Sequence, residues 1–291
     1  MKNHGAYSYA QSVKSDVSDE LINTYVLRPL AGFLVRALYA TPITPNQVTV
    51  AGIAWGLCSA TLYAVGSPIS TMMAGLCLTM KDLFDSADGQ LARAKQMYSR
   101  TGRFLDSIGD FLVNLLVFGA ISYALFSRTA DPIVILLGVS GFLGMTLRVS
   151  YHVFYQTSFL HLRNSYTLNR TNEEMREGDE SVGKLTFRLH QVFLVLYGWQ
   201  DGLMERIDRW CRGTTPQARE FEERWYDDKV GIRISGILGL GTELFLLTAC
   251  SVVNRLDTYF FLNLIGMNGV WVASVMYRRY ILARRLRSRP R

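Results

Sequence analysis

Long apolar segments separated by short polar turns dominate the pattern of hydrophobic and polar positions along the chain. A helix needs about 20 apolar residues to cross a bilayer, and six segments reach or nearly reach that length. The pattern therefore predicts an all-α integral membrane protein with six transmembrane helices. The predicted helices are Pro45–Gly66, Pro68–Ala92, Gly102–Phe126, Asp131–Phe159, Gly231–Val253 and Thr258–Leu282.

A different helical pattern precedes these segments, between Asp19 and Ala40. Its apolar residues recur at helical spacing, but Arg28 and Arg36 are interspersed among them. This pattern is typical of an amphipathic helix in the membrane interface, and it also fits an amphipathic helix packed on the protein itself. Pro29 is a candidate position for a kink. We predict an N-terminal interfacial helix here.

The connection between the fourth and fifth apolar segments, Leu160–Lys229, is long and charged. Its first part, Arg163–Lys184, is polar and poor in apolar residues, which predicts a flexible segment. Its second part, Leu185–Trp210, mixes apolar, charged and aromatic residues and predicts a second surface helix or a hairpin. The predicted divisions are 1–44 (cytoplasmic N-terminus and interfacial helix), 45–159 (transmembrane helices 1–4), 160–229 (cytoplasmic connection), 230–282 (transmembrane helices 5–6) and 283–291 (basic cytoplasmic tail).

Composition supports a membrane class. Hydrophobic residues make up 49% of the chain, and the mean hydropathy is +0.12. The net charge of +7 is compatible with nucleic acid or an anionic membrane surface, but the basic residues flank apolar segments instead of forming one stripe. They concentrate between Arg93 and Arg103 and after Tyr277. Cytoplasmic loops are rich in such residues, so we predict that both termini face the cytoplasm and that nucleic acid is not a partner.

Four aspartates stand where the second and third predicted helices meet. Asp85 and Asp88 are three residues apart on one helix, and Asp106 and Asp110 are four apart on the next. Each pair therefore shares a helix face, and a tight turn would bring the two faces together near the cytoplasmic surface. Unpaired anions at that depth are strongly unfavourable, and hard oxygen ligands favour Mg²⁺ or Mn²⁺. We predict a site for two such ions, which would clamp a pyrophosphate.

Basic residues and glycines near the aspartates fit phosphate and nucleotide binding. Gly89 and Gly102 lack side chains where a nucleotide would approach, although glycines also let membrane helices pack closely. Arg93 fits a phosphate contact or a cytoplasmic anchor. Three further arginines are candidates to bind a phosphate on the acceptor: Arg103, Arg148 and Arg233. For Arg148 the alternative is that its side chain extends to the membrane interface.

Charged residues also lie near the middle of two predicted membrane helices. Lys81 is in the second helix, next to Asp82, and Glu243 is in the fifth. Intramembrane charges are usually paired. We therefore predict that Lys81 pairs with Glu243 or Asp82.

The residues around the aspartates resemble the signature of the CDP-alcohol phosphotransferase family. That signature is D-x2-D-G-x2-A-R, then eight residues, then G-x3-D-x3-D. The stretch Thr44–Thr49 also resembles the T-P-N-x-x-T sequence at the start of the family's first helix. The resemblance covers most of residues 16–160 and reaches the last two helices only through the helix count. The matched positions are Asp85, Asp88, Gly89, Ala92, Arg93, Gly102, Asp106 and Asp110.

The resemblance implies a role for each matched residue. Asp85, Asp88 and Asp106 would bind the metal ions. Asp110 would complete the metal site and act as the base that deprotonates the acceptor hydroxyl. The resemblance also implies a homodimer and the release of CMP. The residues that would bind the nucleotide or donor are Asn46, Gly89, Ala92, Arg93 and Gly102.

The expected reaction is transfer of a phosphatidyl-type group from CDP-diacylglycerol to a small polar alcohol. Lys14, Asp19 and the Arg28–Pro29 pair resemble family members that handle inositol phosphate, so polyols and inositol phosphate are candidate acceptors. Transfer from a CDP-linked polar alcohol to a lipid or sugar acceptor would use the same residues and stays open. A membrane cation transporter is the competing class, but its site should lie near the membrane midplane, not at helix ends.

Overall fold

The computed structural model describes residues 9–12, 20, 22–162, 183–213 and 219–287. Within these ranges the chain is helical with short turns and contains no β-strand, which confirms the predicted all-α class. Most of the predicted flexible stretch Arg163–Lys184 lies outside the described residues, as do Lys14, Asp19 and the end of the basic tail.

Eleven helices follow one another along the described ranges. The last contains two π-helical stretches, Leu262–Met267 and Tyr277–Leu282. The helices are α1 (Tyr9–Ser12), α2 (Arg28–Tyr39), α3 (Pro45–Val65), α4 (Pro68–Lys95), α5 (Arg100–Thr129), α6 (Ile133–Leu162), α7 (Lys184–Arg212), α8 (Arg219–Tyr226), α9 (Lys229–Gly236), α10 (Leu240–Val252) and α11 (Leu256–Arg287).

Five segments of the described chain are long and apolar enough to cross a membrane. They are α3, α5, α6, α11 and the segment Glu220–Val252, which includes α9 and α10. The second predicted span, α4, has 28 residues, but Lys81, Asp82 and Asp85 interrupt its apolar character. The chain is thus an integral membrane protein, and its sixth span, α4, stays a prediction.

The N-terminal amphipathic segment is not one uniform α-helix. A π-helical turn, Asn23–Leu27, runs directly into α2, and Pro29 stands in the first turn of α2. Proline is tolerated there because the first amides of a helix have no partner within it. Ala31 and Val35 are buried against α4, whereas Phe33 is 71% exposed. An apolar face left open on such a helix fits the predicted position in the membrane interface.

Local capping explains why α3, α4 and α5 begin where they do. Thr44 and Gln47 form a capping box at the start of α3, which satisfies two amides that the helix cannot. At the turn between α4 and α5, Gln96 adopts a left-handed conformation (φ 53°) and ends α4. The hydroxyl of Ser99 then accepts a hydrogen bond from the amide of Gly102 and starts α5. This tight turn reverses the direction of the chain, and both α4 and α5 pack against α3.

The fifth predicted span is interrupted, not continuous. A turn at 237–239 separates α9 from α10. The carboxylate of Glu20 fills the gap that the turn leaves: its Oε2 accepts a hydrogen bond from the amide of Thr242 at 3.2 Å. Side chains larger than glycine do not fit here, because a Cβ on Gly239 would stand 2.0 Å from the Glu20 carboxyl carbon. The N-terminal segment is therefore tied to the C-terminal half of the bundle.

The second part of the long connection forms a single helix, α7, and not a hairpin. It packs along α5 and α6. Its buried Asp208 accepts hydrogen bonds from Tyr155 of α6, at 2.9 Å, and from Trp225 of α8, at 2.8 Å. It also forms an ion pair with Arg212 at 2.9 Å. Because a buried carboxylate needs such partners, this cluster holds the connection against the membrane helices.

Candidate active site

The predicted aspartates project from α4 and α5, which both pack against α3, and their side chains meet between the helices. One carboxylate oxygen from each of Asp85, Asp88 and Asp106 lies within 4.8 Å of the others. Thr49 of α3 donates a hydrogen bond to Asp88, so three helices contribute to the cluster. Hard oxygen atoms from several side chains at this separation fit a divalent cation such as Mg²⁺ or Mn²⁺. These three residues could hold such an ion.

The fourth aspartate has a different partner. Asp110, one helical turn beyond Asp106, forms an ion pair with the ammonium of Lys81 from α4. The lysine side chain is only 2% exposed and that of Asp110 is 19% exposed. The predicted pairing of Lys81 with Glu243 or Asp82 is therefore wrong. Lys81 stands four residues before Asp85, which turns it toward α5 on the same helix face as the cluster.

Glu243 is paired with Arg148 instead. The guanidinium Nη2 of Arg148 lies 3.0 Å from Glu243 Oε2, and both residues are at most 1% exposed. Arg148 Nη1 also donates to Asn268 of α11 at 2.7 Å, and Tyr259 and Asn263 donate to Glu243 Oε1. This network joins α6, α10 and α11 and neutralises both charges within the bundle.

The residues assigned to the nucleotide lie at the start of α3, at the end of α4 and in the first turn of α5. Gly102 makes room for Asn46, because a Cβ there would stand 2.3 Å from Asn46 Oδ1. A Cβ on Gly89 would meet the Arg93 guanidinium at an ordinary 3.5 Å. Arg93 Nε donates to the carbonyl of Ser12 at 2.5 Å. Ala92 is half-buried in the last turn of α4, where its carbonyl accepts the Met97 amide at 2.9 Å.

The other side of the cluster opens into a cavity of about 350 Å³ between α5, α6 and α7. Asp106 and Asp110 line it, and so does Arg103. Of the three arginines predicted to bind the acceptor, Arg103 alone lines this cavity. Arg148 is bound to Glu243, and Arg233 is exposed on α9. The predicted three-arginine site is therefore not formed in the described part of the chain.

Several residues at this cavity escaped the sequence analysis. Tyr197 and Phe193 of α7 line it, although α7 was read only as a surface element. Asn114 lines it too, and its position could have been found, because it continues the four-residue spacing of Gly102, Asp106 and Asp110. Thr49 gave a weaker signal, since only its place in the Thr44–Thr49 stretch connected it with the site.

Comparison with known proteins identifies one family. The sequence profile of the CDP-alcohol phosphatidyltransferase family matches residues 42–200, which is more than half of the chain. That range contains α3 to α6 and the first part of α7, and thus every aspartate of the site.

Curated relatives align with parts of the chain. The bifunctional IPC transferase and DIPP synthase of Thermococcus kodakarensis is 32% identical over 117 residues, 40% of this chain and 25% of the relative. The archaetidylinositol phosphate synthase of Pyrococcus horikoshii is 30% identical over 133 residues, 46% of this chain and 63% of the relative. The inner membrane protein YnjF of Escherichia coli is 33% identical over 91 residues, 31% of this chain and 42% of the relative. The chain thus spans a quarter or less of the bifunctional relatives and under two thirds of the others.

Proposed function

The chain belongs to the CDP-alcohol phosphatidyltransferase family, and on that premise we propose that it moves a phosphatidyl-type group from CDP-diacylglycerol to a small polar alcohol and releases CMP. The observation that carries the proposal is the cluster of Asp85, Asp88 and Asp106, with oxygens within 4.8 Å of one another, beside a cavity that also reaches Asp110. A transferase of this kind needs a cation site and an adjoining space for the acceptor.

The aspartate cluster would hold the cofactor, Mg²⁺ or Mn²⁺. Three carboxylates facing each other repel strongly when no cation is present, and their hard oxygens suit these ions. A bound divalent ion would neutralise negative charge on the pyrophosphate of the donor and on the departing CMP. We include Asp110 as a fourth ligand for a second ion, which would require it to share its charge between that ion and Lys81.

The chain's own residues account for the remaining steps. Asp110 accepts the proton of the acceptor hydroxyl, while the ammonium of Lys81 holds the carboxylate in place. The hydroxyl oxygen then bonds to the phosphorus of the transferred group, and the bond between that phosphorus and the CMP oxygen breaks. The CDP part binds at the start of α3, the end of α4 and the start of α5, through Asn46, Gly89, Ala92, Arg93 and Gly102. The acceptor enters from the cavity beside Arg103.

The direction of transfer and the acceptor are finer parts of the proposal. Two of the relatives are named as an archaetidylinositol phosphate synthase and an IPC transferase, which supports a lipid-linked product and a polyol or inositol phosphate acceptor. The arrangement in which a CDP-linked polar alcohol donates to a lipid or sugar would use the same aspartates. We further propose a homodimer, which rests on the family resemblance alone. The active sites and termini would face the cytoplasm, which the basic residues between Arg93 and Arg103 support.

The test is a reconstituted transfer reaction. Protein purified in detergent is mixed with CDP-diacylglycerol, Mg²⁺ or Mn²⁺ and one of a panel of alcohols: glycerol 3-phosphate, myo-inositol, myo-inositol 1-phosphate or serine. Release of CMP and the mass of the lipid product identify the acceptor. A parallel series with CDP-linked polar alcohols and diacylglycerol tests the reverse arrangement. Failure of every donor and acceptor pair to release CMP, together with cation flux across protein-containing vesicles, would favour the transporter class and overturn the proposal.

Two variants separate the roles of the aspartates. Asp110→Asn should retain CDP binding but lose turnover, because it removes the base and leaves the three-aspartate cluster intact. Asp85→Asn should also weaken Mn²⁺ binding, measured by titration calorimetry. CMP release at the normal rate by Asp110→Asn would exclude Asp110 as the base.

A further inference from the structure

Asn114 lies beside the catalytic aspartates but has no role in the proposed reaction. It follows Asp106 and Asp110 at the same four-residue spacing on α5, so the three side chains project from one helix face. One turn of helix, about 5–6 Å, separates Asn114 from Asp110 along the helix axis. The row thus runs from the cluster of aspartates toward the interior of the bundle.

The side chain of Asn114 is buried with an unused hydrogen-bonding atom. The residue is 4% exposed, and its Oδ1 has no hydrogen-bond partner in the described part of the chain. Leaving a buried amide oxygen unpaired is unfavourable, and such atoms in native structures usually find a protein, water or ligand partner. Because Asn114 lines the cavity that reaches Asp106 and Asp110, a molecule in that cavity is the natural donor.

The cavity that Asn114 lines has an apolar part and also several hydroxyl and amide groups. This character fits a polyhydroxylated ligand, since each ligand hydroxyl needs a partner when it leaves water. The volume of about 350 Å³ is sufficient for a small molecule. The polar lining residues beyond the aspartates include Ser107, Thr146, Ser150, Gln156 and Thr157.

Residues of α7 form one wall of the cavity, and side-chain contacts fix the position of α7 along the axis of α5. The hydroxyl of Tyr197 donates to the carbonyl of Ser107 at 2.7 Å, directly after Asp106. The ring of Tyr197 also meets the edge of Phe111, directly after Asp110, with centroids 6.2 Å apart. Further along the helices, the rings of Phe104 and His190 stack at 5.0 Å. These contacts fix the α7 wall of the cavity that Asn114 also lines.

We propose that Asn114 is an acceptor-binding residue that selects polyols: its Oδ1 accepts a hydrogen bond from a second hydroxyl of the alcohol whose first hydroxyl reacts at Asp110, with Tyr197 as the opposite wall. This rests on the proposed function. An acceptor with hydroxyls on neighbouring carbons of a ring or chain spans the turn between the two side chains. An alcohol with one hydroxyl leaves Asn114 unpaired and gains nothing from it.

The experiment compares acceptors on matched variants. CMP release is measured with myo-inositol 1-phosphate and glycerol 3-phosphate, which keep further hydroxyls, and with serine and ethanolamine, which each have a single alcohol hydroxyl. Asn114→Leu has nearly the same size but no oxygen. We expect it to lower kcat/KM for the polyols by roughly tenfold to a hundredfold, the loss of one buried hydrogen bond, with KM for CDP-diacylglycerol and Mn²⁺ affinity unchanged. Leu116→Ala, on the exposed side of the same helix, is the control and should match the wild type.

The outcomes distinguish this inference from the proposed function. If the wild type releases no CMP with any acceptor, the proposed function fails and the inference fails with it. If the wild type is active but Asn114→Leu keeps its polyol kcat/KM, or if KM for the donor rises instead, the inference alone is overturned. Should Asn114→Leu fail to fold, Asn114→Ser, which withdraws the oxygen from the cavity, is subject to the same comparison. Tyr197→Phe provides an independent measurement, because it should change KM for the polyol and not KM for the donor.

Discussion

The buried pair of Arg148 and Glu243 provides the most demanding stability prediction. Replacing Glu243 by leucine removes the acceptor of three donors: Arg148, Tyr259 and Asn263. The guanidinium of Arg148, at 0% exposure, then loses its anionic partner and keeps only the hydrogen bond to Asn268. Removing one partner of a buried ion pair costs about 3–5 kcal/mol, so we expect Glu243→Leu to lower the free energy of unfolding by about that amount.

The double variant Arg148→Leu/Glu243→Leu should be much milder than the sum of its parts, because no charge remains unpaired. Hydrogen bonds within membrane proteins contribute only about 0.6 kcal/mol on average, with a maximum near 1.7 kcal/mol. A coupling energy above about 2 kcal/mol would therefore require the charge pairing itself. Unfolding is followed by tryptophan fluorescence during titration of mixed micelles with sodium dodecyl sulfate.

Lys81 supplies the control for this cycle. Its ion pair is with Asp110 and not with Glu243, so Lys81→Met and Glu243→Leu should add within about 0.5 kcal/mol. A coupling of Arg148 with Glu243 below about 1 kcal/mol would refute the reasoning. A larger coupling of Lys81 with Glu243 would restore the pairing expected from sequence.

Three further predictions test other parts of the site and the fold. Lys81→Met should lower kcat for CMP release at least tenfold, equivalent to about 1.4 kcal/mol of barrier. The reason is that Asp110 then lacks the ammonium group that holds its carboxylate in place. A normal kcat would contradict this. Gly102→Ala should raise KM for the donor by displacing Asn46, whereas Gly119→Ala, where a Cβ meets nothing within 4 Å, should have the wild-type KM. Burial raises the pKa of the Cys211 thiol to about 11, so its alkylation by maleimide, followed by mass spectrometry, should be slow at pH 7 and accelerate as the pH rises toward that value.

The sequence predicted the parts of the structure that depend on local spacing. The apolar segments α3, α5 and α6 follow from length and hydropathy alone. The meeting of Asp85, Asp88 and Asp106 follows from helical periodicity together with one tight turn. These features could be predicted because they do not depend on how distant helices are rotated relative to one another.

Side-chain partners on different helices could not be predicted in this way. Whether Glu243 meets Lys81 or Arg148 depends on the rotation of α10 about its axis, and hydropathy carries no information on that rotation. The carboxylate that fills the break between α9 and α10 comes from Glu20, more than 200 residues away in sequence. The wall formed by α7 was equally hidden, because its amphipathic pattern has apolar residues on both faces: Phe193 is buried, whereas Val195 is 75% exposed.

The π-helical stretch Leu262–Met267 in α11 explains how one ion pair obtains two amide partners. Asn263 reaches Glu243, and Asn268 reaches Arg148. On a regular α-helix, residues five apart point about 140° away from each other, but the wider π turn, bonded between residues five apart, brings them nearly into line. One additional residue in this turn thus allows a second side chain of α11 to contact the neighbouring helices. Deleting one residue from this stretch would therefore rotate Asn263 and Asn268 apart and separate one of them from the ion pair.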